Sequence, residues 1–385
     1  MTQSVVPRLE EIDRLIRATG RQRLFVVADS QAFEFSGAQE RLKPILAQYP
    51  VRYFTNFRPN PRSEDVSAGA NELGDDSDQV VIAIGGGTAI DVAKLICLYA
   101  AQDSSPDDVR WRQLIAGDLP AIGCRHPLIA VPTTAGTGSE ATHFAVVYVD
   151  STKHSVAHPT LLAPAVVLDP TLTHALPASI TAATGLDAVS QAVESMWSVR
   201  STEESIDLGE QALRLGLAHL EQAVRSPKPA NREAMMQAAH LAGRAINISR
   251  TTAPHALSYY LTIHHQVPHG VAVALSMAAI IRFTGKLCDD TVVDSRGAVH
   301  VRAVLDRIAA AFGIVGNPND AIELAASRWE QMLQRLDCGH RLSDWGVNSA
   351  DELQQMARAV NPDRLANHPR RISERELHEI VEQIA

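Results

Sequence analysis

A group of oxygen- and nitrogen-bearing side chains in the second half of the chain has the types and spacing of a divalent-metal site. Asp187 and Gln191 lie four residues apart in a helical pattern, which places both on one face, one turn apart. Downstream, Pro254-His255, His264-His265 and Pro268-His269-Gly270 supply imidazoles, the commonest metal ligand at neutral pH. One carboxylate, one amide oxygen and two imidazoles make a borderline donor set suited to Fe2+, Zn2+ or a similar ion. Such a set leaves a coordination position for a substrate oxygen. Spacing alone does not choose among the histidines.

A second kind of chemistry is written in two loops. Ile84-Gly85-Gly86-Gly87-Thr88-Ala89-Ile90-Asp91 follows an apolar run and opens a helical one. The glycines let the backbone approach a ligand closely, and the helix start offers N–H groups and a positive dipole end to a phosphate. The usual G-x-G-x-x-G fingerprint is absent. Pro132-Thr133-Thr134-Ala135-Gly136-Thr137-Gly138-Ser139-Glu140 also follows an apolar run and carries four hydroxyls that can donate or accept. Two such loops at strand ends describe the ligand crevice of an open parallel sheet. Asp29, at the end of an earlier apolar run, can take the ribose 2′-OH of NAD and would repel the 2′-phosphate of NADP. NAD(H) is therefore expected over NADP(H). Lys153, on the cofactor side, and His158, on the substrate side, follow the second loop and add positive charge.

These residues need a scaffold, and the pattern of the chain supplies one. Residues 23–30, 51–58, 79–85 and 127–132 read as strands, the last two buried on both faces. Helical patterns at 63–73 and 89–99 and a helix-like stretch up to Ala47, interrupted by Pro44, alternate with them. This order predicts a mostly parallel sheet with helices on both faces. From Ala178 onward the patterns are helical, over 180–198, 203–225, 231–248, 303–311 and 318–336, with Ser226-Pro227-Lys228-Pro229 as a loop. The expected division is an α/β cofactor-binding domain over 1–177 and an all-helical metal- and substrate-binding domain over 178–385.

The composition narrows the function classes. With 35 Lys and Arg against 44 Asp and Glu, the net charge of −9 argues against nucleic acid as a partner. No stretch approaches the apolar length of a membrane span, and the first residues carry acids rather than an apolar signal core, so a cytoplasmic protein is expected. Cys97, Cys124, Cys288 and Cys338 form no C-x-x-C pair, which gives neither a thiolate zinc site nor a disulfide framework. Apolar N-terminal strands leave room for an edge-paired homodimer.

Taken together, the motifs resemble those of the iron-dependent (group III) alcohol dehydrogenases over roughly residues 20–285. The specific pieces are G-G-G-T-A-I-D at 85–91, P-T-T-A-G-T-G-S-E at 132–140, L-D-P at 168–170, the Asp187 helix, and the segment from His255 to Pro268-His269-Gly270. The resemblance implies a Rossmann-like N-terminal domain and a helical C-terminal domain, the fold also seen in dehydroquinate synthase. It implies that Gly86, Gly87 and Asp91, with Thr88, serve a pyrophosphate loop, and that Thr133, Thr134 and Thr137, with Ser139, serve the second cofactor loop. It matches Asp187, His255 and His269 to three metal ligands. The family's fourth ligand is usually a histidine four residues after the aspartate, and here that position is Gln191, a poorer ligand for late transition metals. A family histidine linked to proton relay stands at Tyr259 here, so a proton would come from Tyr259 or a water chain, through His265.

The activity implied is reduction of a small aldehyde to an alcohol, with a bound cation stabilising the oxyanion as a Lewis acid. The stretches 187–205 and 245–261 are similar to the subgroup that reduces phosphonoacetaldehyde to 2-hydroxyethylphosphonate. Arg250, Thr251 and Thr252, just before His255, would form an anion clamp. Sulfoacetaldehyde and simple aldehydes stay open as substrates. A lyase or polyol-phosphate enzyme of related fold, or a binding protein whose site has decayed at Gln191 and Tyr259, are the rival classes.

Overall fold

The computed structural model describes residues 3–102, 107–117, 125–150 and 152–385, so Cys124 lies outside the described residues. The chain forms two compact units, Met1–Leu176 and Pro177–Ala385.

The first unit is built on β1 (Ser4–Val6), β2 (Arg23–Ala28), β3 (Val51–Phe54), β4 (Gln79–Gly85), β5 (Leu128–Pro132) and β8 (Ala165–Val167), with a hairpin of β6 (Phe144–Val149) and β7 (Thr152–Ala157). The six-stranded sheet is parallel, in the order β1-β8-β5-β4-β2-β3. Its helices are α1 (Ile12–Ala18), α2 (Ser30–Phe35), α3 (Ala38–Leu46), α4 (Ser63–Leu73), α5 (Gly87–Ala100) and α6 (Asp107–Ala116). Alternate residues of the central strands enter two separate cores. Phe25, Val27, Val81 and Ala83 pack with residues of α4, α5 and α6, while Leu24, Val26, Ile82 and Ile84 pack with α1, α2 and α3. Both faces being covered is why β5, and β4 beyond Gln79, are apolar along their length. The chain leaves β2 toward β3 and leaves β4 toward β5, in opposite directions. The switch point therefore lies at the carboxyl ends of β2 and β4, where ligands bind in such sheets.

Several elements depart from the sequence reading. The strand expected over 51–58 stops at Phe54, the last residue paired with β2, and the Arg58 N–H turns to Asp65 Oδ2 at 3.1 Å. The helix-like stretch before Ala47 is two helices separated at Gly37, whose φ of 75° breaks the first, and α3 carries Pro44 within it. The hairpin β6–β7 was not expected, because Thr152-Lys153-His154-Ser155 is too polar to read as a strand. β1 and β8 span three residues each, too short for a periodic signal.

The second unit is helical: α7 (Ala178–Trp197), α8 (Glu203–Arg225), α9 (Pro229–Ser249), α10 (Ala253–His264), α11 (His269–Gly285), α12 (Gly297–Ala311), α13 (Pro318–Leu336), α14 (Ala350–Arg358), α15 (Pro362–Leu365) and α16 (Glu374–Gln383). α9 starts on Pro229, where a missing N–H costs nothing. Fifteen residues of α7 are buried, which makes it the central post of the unit. No helix among the described residues is long and apolar enough to cross a membrane.

Candidate metal and cofactor sites

The first unit gathers the loop residues at the switch point. Asp29 follows β2 directly, and its backbone N–H reaches Ile84 O at 3.2 Å. Its side chain is exposed and caps α2, accepting from Ala32 N at 2.9 Å. Gly86 and Gly87 open α5. A Cβ on Gly87 would meet Thr137 at 2.7 Å, and one on Gly86 would touch Thr134 at 3.4 Å, so the glycine loop and the threonine loop lie against each other. Thr88, Thr134 and Thr137 are half-buried beside them. Thr133 is fully buried, and its hydroxyl oxygen has no hydrogen-bond partner among the described residues, as fits a group that a ligand completes.

Asp91 and Ser139 serve this arrangement from within. Asp91 Oδ1 accepts from Ser139 Oγ, and Asp91 Oδ2 accepts from Val146 N at 2.9 Å, so the carboxylate braces the second loop. Lys94, one turn further, donates to Ser139 O, to Thr142 O at 2.7 Å and to Phe144 O at 3.0 Å. Burial pushes Asp91 up and pushes Lys94 down to about 8, each opposed by the other's charge. Lys153, on β7 opposite Tyr148, is close enough for its charge to favour ionised Asp91. His158 is occupied locally: its Nδ1 lies 2.7 Å from Thr160 Oγ1 and caps the turn Pro159–Leu161.

The second unit brings Asp187, His255 and His269 together, with one ligand atom of each within 4.8 Å of the others. Asp187 is on the buried face of α7, His255 in the first turn of α10 and His269 at the start of α11. Gly270 explains the approach of α11: any Cβ there would collide with Ala183 O and lie 2.9 Å from Asp187 Cβ. His255 Nε2 is 3.3 Å from Asp187 Oδ1, and the rings of His255 and His269 are 5.3 Å apart.

The donors fit a cation. Glu194, fully buried, receives the hydrogen bond of His255 Nδ1, which leaves Nε2 as the nitrogen that faces Asp187 Oδ1. Either a proton on Nε2 or a metal ion satisfies this pair, and a bound ion would take the proton's place. Burial disfavours charged His255, yet Glu194 and Asp187 outweigh it and lift the ring to about 9. Burial would likewise raise Asp187, but the His255 hydrogen bond and the charge of His269 prevail and hold it below the usual carboxylate range. Gln191 adds a hydrogen bond to Asp187.

Glu194 was missed in the sequence, although 187, 191 and 194 repeat at the spacing of one helix face. Its other oxygen accepts from Thr252 N at 2.8 Å and Thr252 Oγ1 at 3.0 Å. The Thr252 hydroxyl also accepts from Trp197 Nε1 at 2.9 Å, so it holds Glu194 and is not an open anion donor, contrary to expectation. Tyr259 stacks on His269, with ring centroids 6.5 Å apart and planes 6° from parallel, and its oxygen accepts from Arg364 Nη1 at 3.0 Å. His264 and His265 go elsewhere. Both pack against Tyr260, and His265 is 4.0 Å from Glu352. Arg250 caps α9 and is half-buried, with Thr251 beside it. Cys288 and Cys338 are free thiols.

Comparison with known proteins agrees with this geometry. A family model described as iron-containing alcohol dehydrogenase matches residues 6–170, and one described as the C-terminal part of the Fe-containing alcohol dehydrogenase family matches residues 181–385. The chain is 37% identical to phosphonoacetaldehyde reductase of Streptomyces viridochromogenes over 326 residues, 83% of this chain and 79% of that protein. It is 31% identical to long-chain-alcohol dehydrogenase 1 of Geobacillus thermodenitrificans over 74% of this chain and 72% of that one. Sulfoacetaldehyde reductase from Bifidobacterium kashiwanohense, solved in complex with NAD+, superposes with a TM-score of 0.83 at 27% identity, covering 100% of this chain and 97% of that chain. The chain belongs to the iron-containing alcohol dehydrogenase family, and it is an enzyme of the alcohol dehydrogenase and aldehyde reductase class.

Proposed function

We propose that the protein reduces phosphonoacetaldehyde to 2-hydroxyethylphosphonate with NADH and a divalent metal, Fe2+ or Zn2+. The observation that carries the reaction type is the convergence of buried Asp187 and His255 with half-buried His269. Likeness to the Streptomyces viridochromogenes enzyme supports the substrate.

When bound, a divalent ion withdraws electron density from the carbonyl, and the reduced nicotinamide supplies the hydride. Asp187, His255 and His269 would hold that ion, with Gln191 beside them on α7. Glu194 keeps His255 in the tautomer that offers Nε2. Thr133, Thr134, Thr137 and the Gly86-Gly87 turn would seat the dinucleotide, and Asp29 would favour NADH through the ribose 2′-OH. The alcohol oxygen needs one proton to complete the reaction. We assign that proton to Tyr259, whose phenol oxygen accepts from Arg364 Nη1 and whose ring stacks on His269.

The test is an NADH-oxidation comparison of phosphonoacetaldehyde, sulfoacetaldehyde, lactaldehyde and propanal, with Fe2+ and Zn2+ each supplied. Phosphonoacetaldehyde is expected to show the highest kcat/KM. An equal or higher value for propanal would overturn the substrate assignment.

A further inference from the structure

Arg200, Arg250 and Arg364 come from three separated segments of the second unit, and one buried side chain draws those segments together. Asn367 Nδ2 donates to Ser249 O at 2.9 Å and to Thr251 O at 2.8 Å, the two residues that flank Arg250. Asn367 Oδ1 accepts from Ser198 Oγ at 3.0 Å, and Asn367 O accepts from Val199 N at 3.1 Å, just before Arg200. Ser198 Oγ also lies 2.7 Å from Ser249 O, so its single O–H is shared between the two acceptors, which closes the knot. Arg364 precedes Asn367 by one turn, at the end of α15.

Arg250 is held against its backbone preference. Its φ of 63° and ψ of 175° lie in a region that glycine occupies almost alone. An arginine kept where glycine would sit more easily indicates that its side chain is needed. Among the described residues no carboxylate pairs with Arg200 or Arg364, and the charges of both disfavour that of Arg250. The cluster sits beside the metal ligands. Arg364 lies 5.1 Å over the ring of Tyr259, and the same ring stacks on His269.

We propose that Arg200, Arg250 and Arg364 form the seat of the phosphonate group of the substrate, set in register by Asn367. Planar guanidinium forks match the oxygens of a tetrahedral oxyanion, and three cations favour a dianion over a monoanion. This rests on the reading of the substrate as a phosphonate aldehyde. It adds Arg200 and Arg364 as residues that set specificity, and it gives Asn367 a positioning role.

Binding of methylphosphonate and methanesulfonate to the full chain, measured by titration calorimetry, tests the seat without any turnover. Arg250→Gly removes the guanidinium while relieving the backbone, so its Tm should not fall. In Arg250→Gly and in Arg364→Gln, methylphosphonate affinity is expected to drop about tenfold or more. The ratio of kcat/KM for phosphonoacetaldehyde over propanal should fall similarly. Arg364→Lys should recover part of both. Methylphosphonate is expected to bind the parent protein more tightly than methanesulfonate; the reverse order would overturn the assignment to a dianion. Unchanged affinity and ratio in both variants would overturn the seat even if phosphonoacetaldehyde proves the best substrate. If instead the parent protein prefers propanal, the substrate reading fails. The seat then stands if the variants lose methylphosphonate and falls if the parent protein does not bind it.

Discussion

Glu194 decides which nitrogen of His255 faces a cation. Its carboxylate is fully buried and is shared among His255, the Thr252 hydroxyl and the Thr252 backbone. Glu194→Gln keeps the shape but removes the charge and one acceptor. Metal affinity is expected to fall about 10–100-fold, read by competition with a chromogenic chelator. An unaltered affinity would reduce Glu194 to a space-filling role. Asp29 caps α2, and that role can be separated from its proposed part in cofactor choice. Asp29→Ser retains a good cap for α2 while removing the charge beside the cofactor loop. The kcat/KM ratio of NADPH over NADH is expected to rise about tenfold or more, the factor that loss of one charge-assisted contact of about 1.4 kcal/mol represents. No change in the ratio would remove Asp29 from cofactor choice.

Elements position these residues by close backbone approach. α11 can bring His269 to Asp187 only because Gly270 meets α7 without a side chain. Gly270→Ala is expected to cost about 1–3 kcal/mol in overpacking and to lower metal content, measured by urea unfolding and elemental analysis. A stable variant with full metal content would show that the helices part easily. Asp187, His255 and His269 were legible because the Pro268-His269-Gly270 step and the Asp187 helix carry compact motifs. The helices of the second unit were legible because their apolar faces repeat over long stretches. Arg364 and Asn367 were not, since they act from a short helix and a loop whose importance arises from tertiary contact alone. The β6–β7 hairpin was hidden for a related reason. β7 is polar and buries only Val156, so no alternating pattern marks it, and β6, which buries Ala145 and Val147, has only that strand as its partner in the hairpin.

At the scale of the molecule, acid sensitivity has an identifiable source in His368. It is fully buried, edge-on to Trp197 at 5.6 Å, with Nε2 3.1 Å from Thr284 Oγ1. Burial, reinforced by Arg370, holds it down to about 3 against an ordinary 6.5. Between those values the unfolded chain binds a proton that the native chain refuses, so stability is lost as pH falls below 6.5. The loss at about pH 5 amounts to about 2 kcal/mol. His368→Gln can keep a neutral donor to Thr284 and does not titrate. Its urea midpoint should move less than that of the parent protein between about pH 7 and about pH 5. Equal shifts would place the acid sensitivity elsewhere.

All the chemistry assigned to the second unit depends on a cation at Asp187, His255 and His269. Elemental analysis of the purified protein before and after chelation, paired with the rate of aldehyde reduction, addresses that dependence directly. Bound divalent metal in the parent protein, loss of turnover on stripping and its return with Fe2+ or Zn2+ are the results expected. Undiminished aldehyde reduction by fully stripped protein would contradict it.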